Sequence, residues 1–70
     1  MANSTTDNIK NNIKKYRNNK GFTQEKLSEL AGVSTDYISE IERGKKVPSI
    51  KRLDKIAAAL GIPAYKILMP

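Results

Sequence analysis

Cysteine and histidine are both absent from this chain of 70 residues. The first absence excludes disulfides and thiolate metal sites. Together the two exclude zinc centres built on sulfur or imidazole. Acid–base catalysis by histidine is excluded as well. An enzyme would have to rely on a few carboxylates with no evident pocket, so no catalytic activity and no cofactor are expected. No apolar run approaches the length of a membrane span, and the N-terminal residues lack the apolar centre of a secretory signal. The expected location is the cytoplasm, with no membrane partner. Acids are scarce too: 7 Asp and Glu stand against 13 Lys and Arg, a formal net charge of +6. For a small domain that excess favours a polyanionic partner, and it raises both association rate and salt sensitivity. Charge alone leaves a merely soluble basic protein as an equal alternative.

Strand patterns and internal repeats are also missing. What is present is helical periodicity cut by glycines. A chain of this length makes one domain with a thin core, a class that often gains stability by oligomerising. Met1 to Asp7 is small, polar and without period, and reads as a disordered arm ahead of a domain over residues 8–70. Helix 1 is expected from about Asn8 to Lys20, with Ile9, Ile13 and Tyr16 in one stripe. Asn11, Asn12, Lys14, Lys15, Asn18 and Asn19 fill its other faces. Gly21 ends it, and Phe22, the one Phe of the chain, is expected to plug the core.

The segment TQEKLSELAGVSTDYISEIERG, from Thr23 to Gly44, carries most of the information. Thr23 is a good N-cap for a helix over Gln24–Ala31, and Gly32 suits the left-handed stop after it. Ser34 caps the next helix almost at once, from Thr35 to Arg43, and Gly44 stops that one. So short a connection forces the second helix away at a steep angle. That is a helix-turn-helix, a shape able to set one helix in the major groove of DNA. After Lys45, Lys46 and Val47, Pro48–Ser49 start a fourth helix. Its apolar face is Ile50, Leu53, Ile56, Ala57 and Leu60, and Gly61 stops it. Pro63 opens a short last helix, about Pro63 to Leu68. The expected fold is all-α, a compact five-helix domain. Tyr65, Ile67 and Met69 make the C-terminal end too apolar for one inward stripe, which suggests a dimer patch. The alternative is that they complete the core of a monomer.

The ordered set Gly21, Thr23–Gln24, Leu27, Ala31–Gly32–Val33–Ser34, Ile38–Ser39, Ile41–Glu42–Arg43–Gly44–Lys45, Pro48–Ser49, Leu53, Ile56–Ala57 and Leu60–Gly61 resembles the lambda-repressor-like family of Cro proteins, phage repressors and XRE-type regulators. The likeness covers roughly residues 9 to 68. It implies a sequence-specific, double-stranded DNA-binding transcriptional regulator. Such a protein binds an inverted-repeat operator as a homodimer, with helix 3 in the major groove. Repression is the expected sign, and activation stays open. No small-molecule ligand is evident. Carried over by position, Thr35, Asp36, Ser39 and Glu40 would face base edges, with Thr able to touch a thymine methyl or bond a base edge and the acids able to accept from a cytosine amino group. A plainer reading has Asp36 offsetting the helix dipole and Glu40 pairing with Arg43. Gln24, Tyr37, Arg43, Lys45, Lys46 and Ser49 would hold phosphates, with Lys51 beside them. The family pattern makes Arg17 and Glu42 a partly buried ion pair that ties helix 1 to the end of helix 3. Ser28 stands where the family usually has Ala, and its hydroxyl is expected to bond the carbonyl four residues earlier. The other class of function is a protein-interaction module, antitoxin-like or an adaptor, that keeps the fold without using the groove. Asp36 and Glu40 favour it, and Arg43, Lys45 and Lys46 oppose it.

Overall fold

The computed structural model describes residues 4–70. They form α1 (Thr5–Asn19), α2 (Gln24–Ala31), α3 (Thr35–Glu42), α4 (Ile50–Leu60) and α5 (Tyr65–Leu68), with no strand among the described residues. Each of the first four helices starts on a hydroxyl. Ser4 Oγ accepts from the Asp7 amide at 3.1 Å, and Thr23 Oγ1 from Lys26 at 2.9 Å. Ser34 Oγ accepts from Tyr37 at 3.0 Å, and Ser49 Oγ from Arg52 at 3.3 Å. Each bond satisfies an N–H that the first turn leaves without a helical partner.

The first of these caps corrects the expected arm. Ser4 with Asp7 in the first turn starts α1 at Thr5, so residues 4–7 belong to the domain rather than to a disordered leader. The acid offsets the helix dipole there, an ordering force that lack of apolar period does not register. The remainder of the arm, residues 1–3, lies outside the described residues.

α2 packs on α3 and α4, and α1 packs on α3 and α5. Between them lie Ile13, Leu27, Ile38, Ile41, Ile56, Leu60 and Ile67, all essentially without solvent exposure. Burying each such side chain contributes about 1.5–3 kcal/mol. Phe22 is half-buried against this cluster, with Tyr16 and Val33. Ile50 departs from expectation. The helical wheel groups it with Leu53 and Ile56, yet it is 80% exposed, while Leu53 in the same turn is buried.

The C-terminal helix is held by polar groups as much as by Ile67. Asn12 is buried on α1, not on an outer face, and its Nδ2 donates to the carbonyls of Lys66 (3.2 Å), Ile67 (2.9 Å) and Met69 (2.6 Å). Asn8 Nδ2 donates to the Leu68 carbonyl at 3.2 Å. These are the carbonyls that the end of a helix leaves unpaired. Among the described residues no helix is long and apolar enough to cross a membrane.

Candidate nucleic-acid interface

The α2–α3 turn consists of Gly32, Val33 and Ser34. Gly32 sits at φ +70°, where a side chain would be strained, and the Val33 amide donates to the Ser28 carbonyl at 3.0 Å. The turn thus finishes α2 and caps α3 within three residues. α3 then divides into two faces. Ile38 and Ile41 are buried in the core, while Thr35 and Asp36 are exposed and Ser39 and Glu40 half-buried. The four proposed base readers therefore lie off the core.

Their surroundings differ. Glu40 Oε1 lies 3.4 Å from Lys46 Nζ, so its partner comes from the following loop rather than from Arg43. Thr35 Oγ1 lies 3.0 Å from Ser28 Oγ. Ser28 is buried and donates to the Glu25 carbonyl at 2.7 Å. The expected acceptor was one residue further back; the shorter reach keeps the hydroxyl between α2 and the first residue of α3.

Arg17 and Glu42 form a bidentate pair, with Nε–Oε2 at 2.6 Å and Nη2–Oε1 at 3.0 Å. Arg17 Nη1 also donates to the Phe22 carbonyl at 2.8 Å, so one guanidinium ties α1, the α1–α2 turn and the end of α3. The side chains retain only 12% and 4% of their exposure. Gln24 joins them, its Nε2 donating to Glu42 Oε1 at 3.1 Å. One N–H and the amide oxygen of Gln24 are not used in that bond.

A run of cations follows the far end of α3. Residues 43–52 contain Arg43, Lys45, Lys46, Lys51 and Arg52 and no acid. Arg43, Lys45, Lys46, Ser49 and Lys51 are all exposed. Tyr37 is different. The residue is only 9% exposed, with Lys46 Nζ at 5.2 Å and the Arg52 guanidinium carbon at 5.0 Å from the ring centre. A shallow cleft of about 290 Å³ opens between Gly32, Val33, Ser34, Tyr37 and Arg52. Arg52 was absent from the expected set. Its position three residues after the Ser49 cap, in a stretch without acids, is the signal that could have found it. No group of three acidic side chains among the described residues is arranged to hold a metal ion.

At the other end of the sequence, Ile67 is completely buried, which removes it from the expected dimer patch. α5 docks on α1, and Ile67 is the residue of its single turn that faces inward. Tyr65, Leu68 and Met69 remain 59%, 40% and 50% exposed.

Similarity to known proteins agrees with this arrangement. A helix-turn-helix family model matches residues 13–67. A hypothetical transcription factor of Neisseria meningitidis is 39% identical over 59 residues, covering 84% of this chain and 56% of that protein. The regulator SinR of Bacillus subtilis is 42% identical over 57 residues, covering 80% of this chain and 51% of that one. The chain thus spans about half the length of these curated relatives. Among solved structures, the Neisseria factor superimposes with a TM-score of 0.92 at 34% identity, over 96% of this chain and 77% of that one. SinR in complex with DNA gives 0.83 at 40% identity, over 87% of this chain and 98% of that one. Helix order, turn geometry and sequence agree, and the chain belongs to the helix-turn-helix family of lambda-repressor-like, XRE-type DNA-binding regulators.

Proposed function

We propose that this domain binds double-stranded DNA in a sequence-specific way, with α3 in the major groove, and regulates transcription in the cytoplasm, as a repressor. The observation that carries this reading is the pairing of a polar, core-independent α3 face with five cations and no acid over residues 43–52. Thr35, Asp36, Ser39 and Glu40 face base edges. Gln24, Tyr37, Arg43, Lys45, Lys46 and Ser49 hold the backbone, joined by Arg52. Gln24 does so while anchored to Glu42, which limits the directions its free amide atoms can take. A homodimer through Tyr65, Leu68 and Met69 would present two α3 helices about one DNA turn apart and so read an inverted repeat. A monomer in sedimentation at high concentration would remove the dimer from this account.

The test is selection from a pool of randomised duplexes at moderate salt, followed by sequencing of what is retained. Enrichment of an inverted repeat with half-sites one turn apart is the expected result. Retention without enrichment would leave only a backbone binder. No retention would favour the protein-interaction module, for which the acids of α3 are the argument. That argument is weakened by Lys46, which offsets the charge of Glu40.

Two substitutions separate the assigned roles. Glu40→Ala is expected to relax preference at one base position by about 1–3 kcal/mol, the range for a good base contact. An unchanged preference profile removes Glu40 from the reading face. Lys45→Ala is expected to weaken binding to every duplex alike and to flatten the salt dependence by about one unit of slope. A loss confined to one sequence contradicts backbone anchoring.

A further inference from the structure

Ser28 is one of three buried polar or charged residues among those described, and the proposed interface has no direct use for it. Its hydroxyl carries a single proton. That proton goes to the Glu25 carbonyl at 2.7 Å, since a carbonyl oxygen can only accept. The contact between Ser28 Oγ and Thr35 Oγ1, at 3.0 Å, is then possible in one direction only. Thr35 donates and Ser28 accepts. The hydroxyl of Thr35 would otherwise rotate to suit whatever faced it, as donor or acceptor. Here its proton is drawn back towards α2, and its exposed side keeps lone pairs alone.

We infer that Ser28 is a positioning residue that makes Thr35 a hydrogen-bond acceptor on the DNA-facing side of α3. The proposal rests on the reading of α3 as the base-contacting helix. In the major groove the donors are the N4 amino group of cytosine and the N6 amino group of adenine; guanine O6 and N7 and thymine O4 are acceptors. An acceptor-only Thr35 takes an amino-bearing base and leaves guanine or thymine facing lone pair to lone pair. Asp36, a carboxylate beside Thr35, likewise offers acceptor oxygens. The N-terminal end of α3 therefore presents acceptors side by side, and Ser28 sets the sense of the one that was free to choose.

The experiment uses the full chain and the duplex enriched by selection. The position read by Thr35 is located with Thr35→Val, which keeps the shape and removes the hydroxyl. Preference should flatten there and nowhere else. All four bases are then placed at that position and binding is measured for the native chain, Ser28→Ala, Thr35→Val and the double substitution. The native chain is expected to favour adenine or cytosine on the facing edge by about five- to tenfold, the scale of one ordinary hydrogen bond. Ser28→Ala frees the Thr35 rotor and should bring all four bases within about twofold. The double substitution should match Thr35→Val, because Ser28 acts through Thr35. Thermal unfolding of each variant reports any loss of folding separately, and such a loss cannot by itself change preference at a single base. A native preference for guanine or thymine, or a Ser28→Ala profile equal to the native one, overturns the inference while leaving the DNA-binding reading intact. Failure of the native chain to retain any duplex overturns both.

Discussion

Glu42→Ala is expected to destabilise the domain by about 3–5 kcal/mol, the range for breaking a buried ion pair from one side. The loss comes less from the attraction removed than from what stays behind. Arg17 would keep its charge in a site where its side chain is only 12% exposed, with the Phe22 carbonyl as its one remaining partner. A domain of this size holds at the low end of about 5–15 kcal/mol in total, so the substitution removes a large share of it. Urea unfolding measures the effect directly. Glu42→Gln should fall between, since an amide can still accept from one guanidinium N–H but offers no charge. A cycle with Arg17→Ala reports the coupling: the double substitution should cost less than the two single losses added together. Simple additivity would mean that the two side chains stabilise the domain independently, whatever their 2.6 Å separation. The same substitution releases Gln24 Nε2. DNA affinity measured under conditions where the variant remains folded should therefore fall as well.

Asn12→Ala is expected to cost about 2–3 kcal/mol, because it strips partners from several backbone carbonyls at once. Asn12 serves Lys66, Ile67 and Met69 with one amide nitrogen. A helix of four residues cannot hold itself in water, so its order depends on this contact, on the Asn8 bond and on the burial of Ile67. The loss should be local before it is global. Hydrogen exchange should show the amides of residues 65–68 losing protection while those of α2 and α3 keep most of theirs. Asn8→Ala, which removes a single 3.2 Å bond to the Leu68 carbonyl, should have the smaller effect. An Asn12→Ala variant within about 0.5 kcal/mol of the native chain would show that Ile67 and Asn8 dock α5 without Asn12, since changes of that size are ordinary for surface sites.

What could be read from the sequence follows the range of the forces involved. Thr23, Ser34 and Ser49 act on amides three residues away, and Gly32 and Gly61 act on their own backbone. These signals survive without any knowledge of the fold, and α2 begins and ends where they place it. α4 keeps its periodic stripe except at Ile50, where periodicity cannot tell whether anything lies opposite. Asn12 was beyond reach because its acceptors lie more than fifty residues away in sequence. From local propensity an asparagine in a helix is only a poor helix former. The inward side of Ile67 is hidden for a related reason: a single turn has no repeated stripe from which an inward side could be chosen. At the interface, the grouping of Thr35, Asp36, Ser39 and Glu40 off the core follows from helical spacing. The pairing of Glu40 with Lys46 depends on the path of the loop, and no spacing rule encodes it.

Ile38, Ile41 and Glu42 look inward and hold the helix to the rest of the molecule. Asp36, Ser39 and Glu40 form no hydrogen bond to another helix among the described residues, and Thr35 reaches only Ser28. New recognition residues can therefore be grafted onto this surface while the scaffold stays unchanged. Position 28 is the exception. A graft that replaces Thr35 must also choose what stands behind it, so the transferable unit is four surface residues together with one residue hidden on the neighbouring helix.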